Sequence, residues 1–182
     1  MLNQKDSKML KADLKISEYD SYYNTYIGLV TSDAISELKN NLAEDLIFLE
    51  SIDTQKHHYA YAKNKWTVLQ LIQHCIDTER VFQYRALCIA RGEKQNIPGF
   101  DENKYADSTK PETLSYKQII KEFETVRQST ILLFESMHPK NLNIIGTANQ
   151  SPLSPRACAF IIVGHWKYHF RIIKERYLEN EK

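Results

Sequence analysis

Apolar residues recur with a helical period in four long stretches of the chain. In the first stretch, Leu38, Leu42, Leu46 and Leu49 follow one another at spacings of four, four and three residues. Those spacings place the leucines on one face of a helix, where they can form part of a core. We therefore predict a first main helix from about residue 32 to residue 52.

The second stretch begins with a sequence that is typical of a helix start. Thr67 is followed three residues later by Gln70, which is the spacing of a capping box, so the helix is expected to begin at Val68. It is predicted to end near Arg91-Gly92, where a basic residue precedes a glycine that can adopt a left-handed conformation. Apolar residues surround its early part almost completely, which predicts that this part is deeply buried.

Two further stretches complete the predicted bundle. The third helix is expected from about Leu114 to Met137, because Pro139 cannot continue it. Ser154 and Pro155 then supply an N-cap and a favoured first helical residue for the last helix. With only 5 glycines and 5 prolines in 182 residues, the pattern predicts an all-α fold, a four-helix bundle with long connections.

The residues before the first main helix do not show the apolar pattern of the four long stretches. Residues 1–16 are rich in lysine and aspartate and lack an apolar face, so they are predicted to be a frayed N-terminal segment. Residues 17–182 are predicted to form a single domain, a usual size for one. Four tyrosines between residues 19 and 26 indicate a short helix or a strap that packs over the bundle.

Charge and cysteine content narrow the function by exclusion. Lys and Arg number 24 against 23 Asp and Glu, and a net charge of +1 offers no overall attraction to nucleic acid or to an anionic membrane. No apolar run approaches the ~20 residues of a membrane span and the start does not look like a signal peptide, so we expect a cytoplasmic protein. Cys75, Cys88 and Cys158 are widely separated, which favours free buried thiols over disulfides or a thiolate zinc site.

The candidate chemistry lies in three histidines. His165 and His169 are four residues apart, so both imidazoles project from one face of the last helix. His74 lies in the apolar part of the second helix, where an unpaired imidazole would cost about 1–3 kcal/mol. Without a metal, His165 and His169 could be surface or hydrogen-bonded core histidines, and His74 could be a core histidine bonded to a backbone carbonyl. Antiparallel neighbouring helices could instead bring all three to one point, where neutral imidazoles bind zinc, nickel or a similar divalent ion.

Several motifs, taken together and in order, resemble the DinB-like family of four-helix proteins. The resemblance covers roughly residues 19–178 and implies a four-helix bundle of the DinB/YfiT type with a divalent metal on His74, His165 and His169. Tyr168 departs from the pattern, since many relatives have a second histidine there. The motifs are Lys65-Trp66-Thr67, His74-Cys75-Ile76-Asp77-Thr78-Glu79-Arg80, Pro98-Gly99-Phe100-Asp101, Gly164-His165 with His169, and Glu175-Arg176-Tyr177.

The resemblance also implies a class of reaction. The family includes metal-dependent hydrolases and thiol-dependent S-transferases, so the expected substrate is a small-molecule electrophile, attacked by water or by a low-molecular-weight thiol such as bacillithiol. The alternative is a metal-binding or structural bundle without enzymatic activity, perhaps related to stress. A bundle of this size with helical faces is also compatible with a homodimer.

Two aspartates are weaker candidates for a catalytic role. Asp77 lies one turn after His74 and could orient its imidazole, or it could belong to a structural ion-pair cluster. Asp101 lies in the long connection from residue 96 to residue 110, which contains a Pro-Gly turn followed by Phe100 and is predicted to be a mobile lid at the mouth of the metal site. A cap of that turn is an equally good interpretation of Asp101.

The other histidines are expected to have no part in the site. His57, His58 and His138 lie in connections or at helix ends, and they are predicted to be solvated.

Overall fold

The computed structural model describes residues 9–109 and 115–179, and four long helices dominate them. One shorter helix precedes the first long helix, another lies between the second and third long helices, and a π-helical turn over Ile173–Leu178 extends the last long helix. The helices are α1 (Asn24–Gly28), α2 (Ala34–Glu50), α3 (Val68–Ala90), α4 (Glu102–Ser108), α5 (Tyr116–Glu135) and α6 (Pro155–Ile172).

The four long helices form a bundle in which α2 and α3 lie diagonally opposite each other. Both α2 and α3 pack against α5 and α6. The Tyr177 hydroxyl, beyond the end of α6, donates to the Trp66 carbonyl, just before α3, at 2.7 Å, so these two helices run antiparallel. This arrangement brings the start of α3 beside the end of α6, which are the two places that carry the candidate histidines.

The predicted helix starts are confirmed where a capping motif marks them. The Gln70 backbone N–H donates to the Thr67 hydroxyl at 3.2 Å, and α3 begins at Val68 as predicted. Ser154 accepts from the Ala157 N–H at 3.0 Å and opens α6. The bounds of α2 lie within two residues of the prediction, as does the end of α5, whereas the predicted start of α5 falls outside the described residues.

A β-hairpin and a short helix inside the connections were not predicted. Strands β1 (Gly146–Ala148) and β2 (Ser151–Leu153) form an antiparallel hairpin. Its turn residues Asn149 and Gln150 have φ angles of +49° and +63°. Glycine usually occupies such positions in hairpin turns, and because neither residue is glycine, the turn could not be recognised from the sequence. The short helix is α4, which occupies Glu102–Ser108 in the loop that was expected between residues 96 and 110.

The described part of the N-terminal segment makes specific contacts with the bundle, in contrast to the expected fraying. Met9 is buried in the core, and its backbone N–H donates to the Asp33 carboxylate. The Lys11 ammonium donates to the Val30 carbonyl at 2.9 Å. These contacts fasten residues 9–16, while residues 1–8 lie outside the described chain.

The core is divided into two apolar clusters along the bundle. One surrounds Phe82 and Phe160 near the hairpin, and the other surrounds Ile72, Phe123 and Trp166 near the start of α3. The second cluster supports the backbone on which the candidate histidines stand. Among the described residues, no helix is both long and apolar enough to cross a membrane.

The three cysteines are free, as the sequence predicted. Cys75 and Cys158 are buried, and burial raises the pKa of both thiols. Neither is therefore a ready thiolate ligand or nucleophile.

Candidate metal centre

His74 on α3 and His165 and His169 on α6 converge on one point between the two helices. The Nε2 atom of His165 lies 3.1 Å from that of His74 and 3.2 Å from that of His169. One ligand atom from each of the three residues falls within 4.8 Å of the others. Two nitrogens bound tetrahedrally to one zinc ion would be about 3.3 Å apart, so the spacing fits a shared ion.

Burial keeps the three imidazoles neutral. It lowers the pKa of His74 to about 4. Burial, together with the neighbouring His74, lowers the pKa of His169 to about 3, and the pKa of His165 is also well below its ordinary value. Neutral imidazoles offer lone pairs, so at neutral pH these residues need to release no proton before they bind a cation.

Aromatic rings surround the three imidazoles and hold them in place. The Trp66 ring lies 4.7 Å from the His74 ring, centroid to centroid, and the Tyr26 ring meets His165 edge-on at 5.2 Å. Tyr168 packs against both Tyr26 and His169. The residue that departs from the family pattern is thus a packing neighbour of the site.

A pocket of about 280 Å³ opens beside His169. Its wall combines aromatic rings with polar side chains from three parts of the chain. The site therefore has room next to it for a small molecule. The wall includes Tyr61, Lys65, Trp66, Asn103, Tyr168 and Tyr177.

Asn103 belongs to α4, so this part of the connection after α3 folds back to the pocket beside His169. Phe100, by contrast, lies over the guanidinium of Arg85, further along α3. Asp101 itself is the N-cap of α4, where its carboxylate accepts from the N–H groups of Asn103 and Lys104 at 3.1 Å. Of the two interpretations of Asp101, the structure shows the cap. The predicted mobility of this segment stays a prediction.

Asp77 lies in an ion-pair network on the surface of α3 and α5. Its carboxylate accepts from the Gln73 amide at 3.1 Å and lies 3.8 Å from the guanidinium of Arg80, which also pairs with Glu122. In the described chain no hydrogen bond joins Asp77 to a histidine. This placement favours the structural interpretation of Asp77.

The prediction that His57 is solvated is wrong. His57 is buried, stacks on the Tyr116 ring at a centroid distance of 3.6 Å, and its Nε2 lies 3.1 Å from the Ile52 carbonyl oxygen. Tyr116 comes from α5, so the burial depends on a contact that the local sequence does not reveal. His58 and His138 are exposed, as predicted.

The residues that could not be identified from the sequence are those that line the pocket beside His169. Tyr61 was not singled out, and Trp66 and Tyr177 were noted only as parts of motifs. Their role comes from the antiparallel meeting of α3 with the end of α6, and an isolated aromatic residue carries no signal of that kind.

The fold and the histidine cluster define a helical bundle in which three histidines from two helices converge in an arrangement that could hold a metal ion. The chain belongs to the DinB superfamily, whose sequence profile matches residues 37–173. Its fold is similar to that of YfiT from Bacillus subtilis, described as "a probable metal-dependent hydrolase with an unusual four-helix bundle topology". The two share 15% identity, with a TM-score of 0.67 over 89% of each chain. No curated protein matches the chain significantly.

Proposed function

We propose that this protein is a metal-dependent enzyme in which His74, His165 and His169 hold one divalent ion and the adjoining pocket receives a small-molecule electrophile. The observation that carries the proposal is the convergence of three neutral imidazoles, two buried and that of His169 half-buried, at Nε2 separations of 3.1 and 3.2 Å. Hydrogen bonds among the three Nε2 atoms would satisfy them poorly, because a nitrogen of a neutral imidazole offers either one N–H or one lone pair and the Nε2 of His165 faces two partners. The Nδ1 atom of His169 has none in the described chain.

The donor set favours zinc or nickel over magnesium or calcium. All three ligands are nitrogen atoms, whereas the harder cations prefer carboxylate and carbonyl oxygens. Three protein ligands leave at least one position open, which is the pattern of catalytic rather than structural zinc sites. When bound, such an ion would lower the pKa of a water or a thiol and so supply a nucleophile near neutral pH.

The residues around the site have roles in binding and orientation. Trp66, Tyr26 and Tyr168 hold the imidazoles and restrict access of bulk water. Lys65 and Asn103 offer polar groups on the pocket wall that can bind a substrate while its reactive atom faces His169. Such fixed orientation of reactants is a large part of catalysis.

Two nucleophiles are compatible with this site. Water would make the protein a hydrolase, in line with the description of YfiT. A low-molecular-weight thiol such as bacillithiol would make it an S-transferase, which the family resemblance supports.

The test is elemental analysis of the purified protein followed by a screen of small electrophiles with water alone and with added thiols. We expect one divalent ion per chain and turnover that His169→Ala abolishes. His138→Ala, which removes an exposed histidine, is the matched control. A protein that holds the ion on the three histidines but turns over no electrophile with either nucleophile would support the non-enzymatic alternative.

A further inference from the structure

A second pocket, of about 300 Å³, lies between the β-hairpin, the start of α4 and the tyrosine-rich segment before α2. It is separate from the histidine site, because Arg85 in its wall follows His74 by eleven residues on α3, about 16 Å along the helix axis. One small molecule cannot touch both. Its wall includes Asp20, Tyr23, Arg85, Phe100, Glu102 and Ser151.

Arg85 is buried in this wall without a counter-charge. Its exposed fraction is 2%, and in the described part of the chain no carboxylate lies within ion-pair distance of it. Its guanidinium donates to two uncharged acceptors, the Pro98 carbonyl oxygen at 3.3 Å and the Tyr23 hydroxyl, and its Nε is buried without any acceptor in the described chain. The guanidinium lies over the rings of Phe82 and Phe100, at 5.0 and 5.9 Å from their centroids.

The other deeply buried arginine shows what such a residue normally requires. Arg127 is 1% exposed, and its guanidinium lies 2.9 Å from the Glu79 carboxylate and 3.7 Å from that of Asp45. Arginine is almost never fully buried unless it is paired. Arg85 is therefore an exception within its own protein.

No described neighbour of Arg85 compensates its charge. Tyr23 lies beside it, but burial raises the pKa of the Tyr23 hydroxyl, so this residue is neutral. The Asp20 carboxylate, also in the pocket wall, is bonded to the Ser151 hydroxyl at 2.9 Å and to the Tyr22 N–H at 2.8 Å. A buried cation without a partner is costly, and an anion bound from solution would relieve that cost.

We propose that this pocket binds a small organic carboxylate, with Arg85 as its counter-ion. A guanidinium can donate two parallel hydrogen bonds to a carboxylate, which fits its planar shape. The nearby Asp20 and Glu102 repel negative charge, and this repulsion disfavours a doubly charged phosphate more than a singly charged carboxylate. The ring of Phe100 provides an apolar surface for the rest of the molecule.

The test is calorimetric titration of the protein with benzoate and, separately, with inorganic phosphate. We expect benzoate to bind the wild type more tightly than phosphate does. Arg85→Met, which keeps the length and the contact with the phenylalanine rings, should weaken benzoate binding about 10- to 100-fold, the loss expected for a charged hydrogen-bonded pair. Arg91→Gln removes an exposed arginine six residues further along the chain and should leave binding unchanged.

Two further variants keep the result unambiguous. His169→Ala should bind benzoate as the wild type does, because the proposed binding pocket is at Arg85. Unchanged binding would exclude coordination of benzoate to an ion at the histidine site. Glu102→Gln, an exposed position, should bind benzoate about two- to fivefold more tightly because a repulsive charge is gone, and it provides a test if Arg85→Met folds poorly. The proposal is overturned if wild type does not bind benzoate, if Arg85→Met binds it equally well, or if phosphate is the preferred ligand.

Discussion

The backbone carbonyl oxygen of Tyr26 lies so close to Gly164 that a Cβ atom at position 164 would meet it at 2.0 Å. This close approach lets α1 lie directly on α6. It also places the Tyr26 ring against His165, the next residue after Gly164, at a centroid distance of 5.2 Å. The small residue beside the histidine therefore has a clear role: it admits the backbone that covers one side of the candidate metal site.

Gly164→Ala should destabilise the protein by about 1–3 kcal/mol, because the clash is with backbone and rotation of a side chain cannot relieve it. Urea unfolding measures the change. Gly28→Ala is the matched control, since an added Cβ there meets nothing within 4 Å. Equal stability of the two variants would mean that α1 does not pack on α6 as described.

His169→Ala should remove metal binding while the helical circular dichroism signal stays nearly unchanged. The two apolar clusters of the bundle do not depend on an ion, unlike the cores of small zinc domains. At a free metal concentration 100 times the dissociation constant, the ion should stabilise the wild type by about 2.7 kcal/mol and the variant not at all. Loss of the helical signal in the variant would instead identify a structural site.

Glu37 connects the segment before α2 to α6. Its carboxylate accepts from the backbone N–H groups of Thr31 and Ser32 at 2.8 and 2.7 Å and pairs with the Lys167 ammonium. Burial alone would raise its pKa, but Lys167 and the two N–H donors lower the pKa of Glu37 to about 2. The ionised carboxylate is thus more strongly favoured in the folded protein than in the unfolded chain.

The Glu37 contacts should make stability depend on pH in acid. A depressed pKa contributes stability that is complete above the ordinary value of 4.5 and is lost as the pH falls towards about 2. Wild type should therefore melt at a higher temperature than Glu37→Gln at pH 6, and the difference should shrink between pH 4.5 and pH 2. Glu50→Gln, at the exposed end of the same helix, should show no such convergence.

Arg127→Met should destabilise the bundle by about 3–5 kcal/mol, because it leaves the Glu79 carboxylate buried without its partner. The double variant with Glu79→Gln should recover part of that loss, since the uncompensated charge is gone. Arg80→Met is the matched control: Arg80 is half exposed in its pair with Glu122, so its loss should cost only about 0–1 kcal/mol. Urea unfolding measures the free energy of unfolding of all three variants. Equal losses for Arg127→Met and Arg80→Met would contradict this account.

Much of the fold follows from features that act over a few residues. The capping box of Thr67 and Gln70 determined where α3 starts, and Ser154 with Pro155 determined where α6 starts, because these hydrogen bonds and backbone angles are local. The spacing of His165 and His169 likewise placed both rings on one face of a helix. Such signals can be read from sequence because their physical causes lie within one helical turn.

What only the tertiary structure decided depends on partners far away along the chain. His74 and His165 are 91 residues apart and meet only because α3 and α6 are antiparallel neighbours, while α2 lies diagonally opposite α3. The burial of His57 under Tyr116 and, among the described residues, the absence of a counter-charge at Arg85 arise in the same way. Burial and electrostatic environment are properties of the packed assembly, so a residue's own neighbours in sequence do not reveal them.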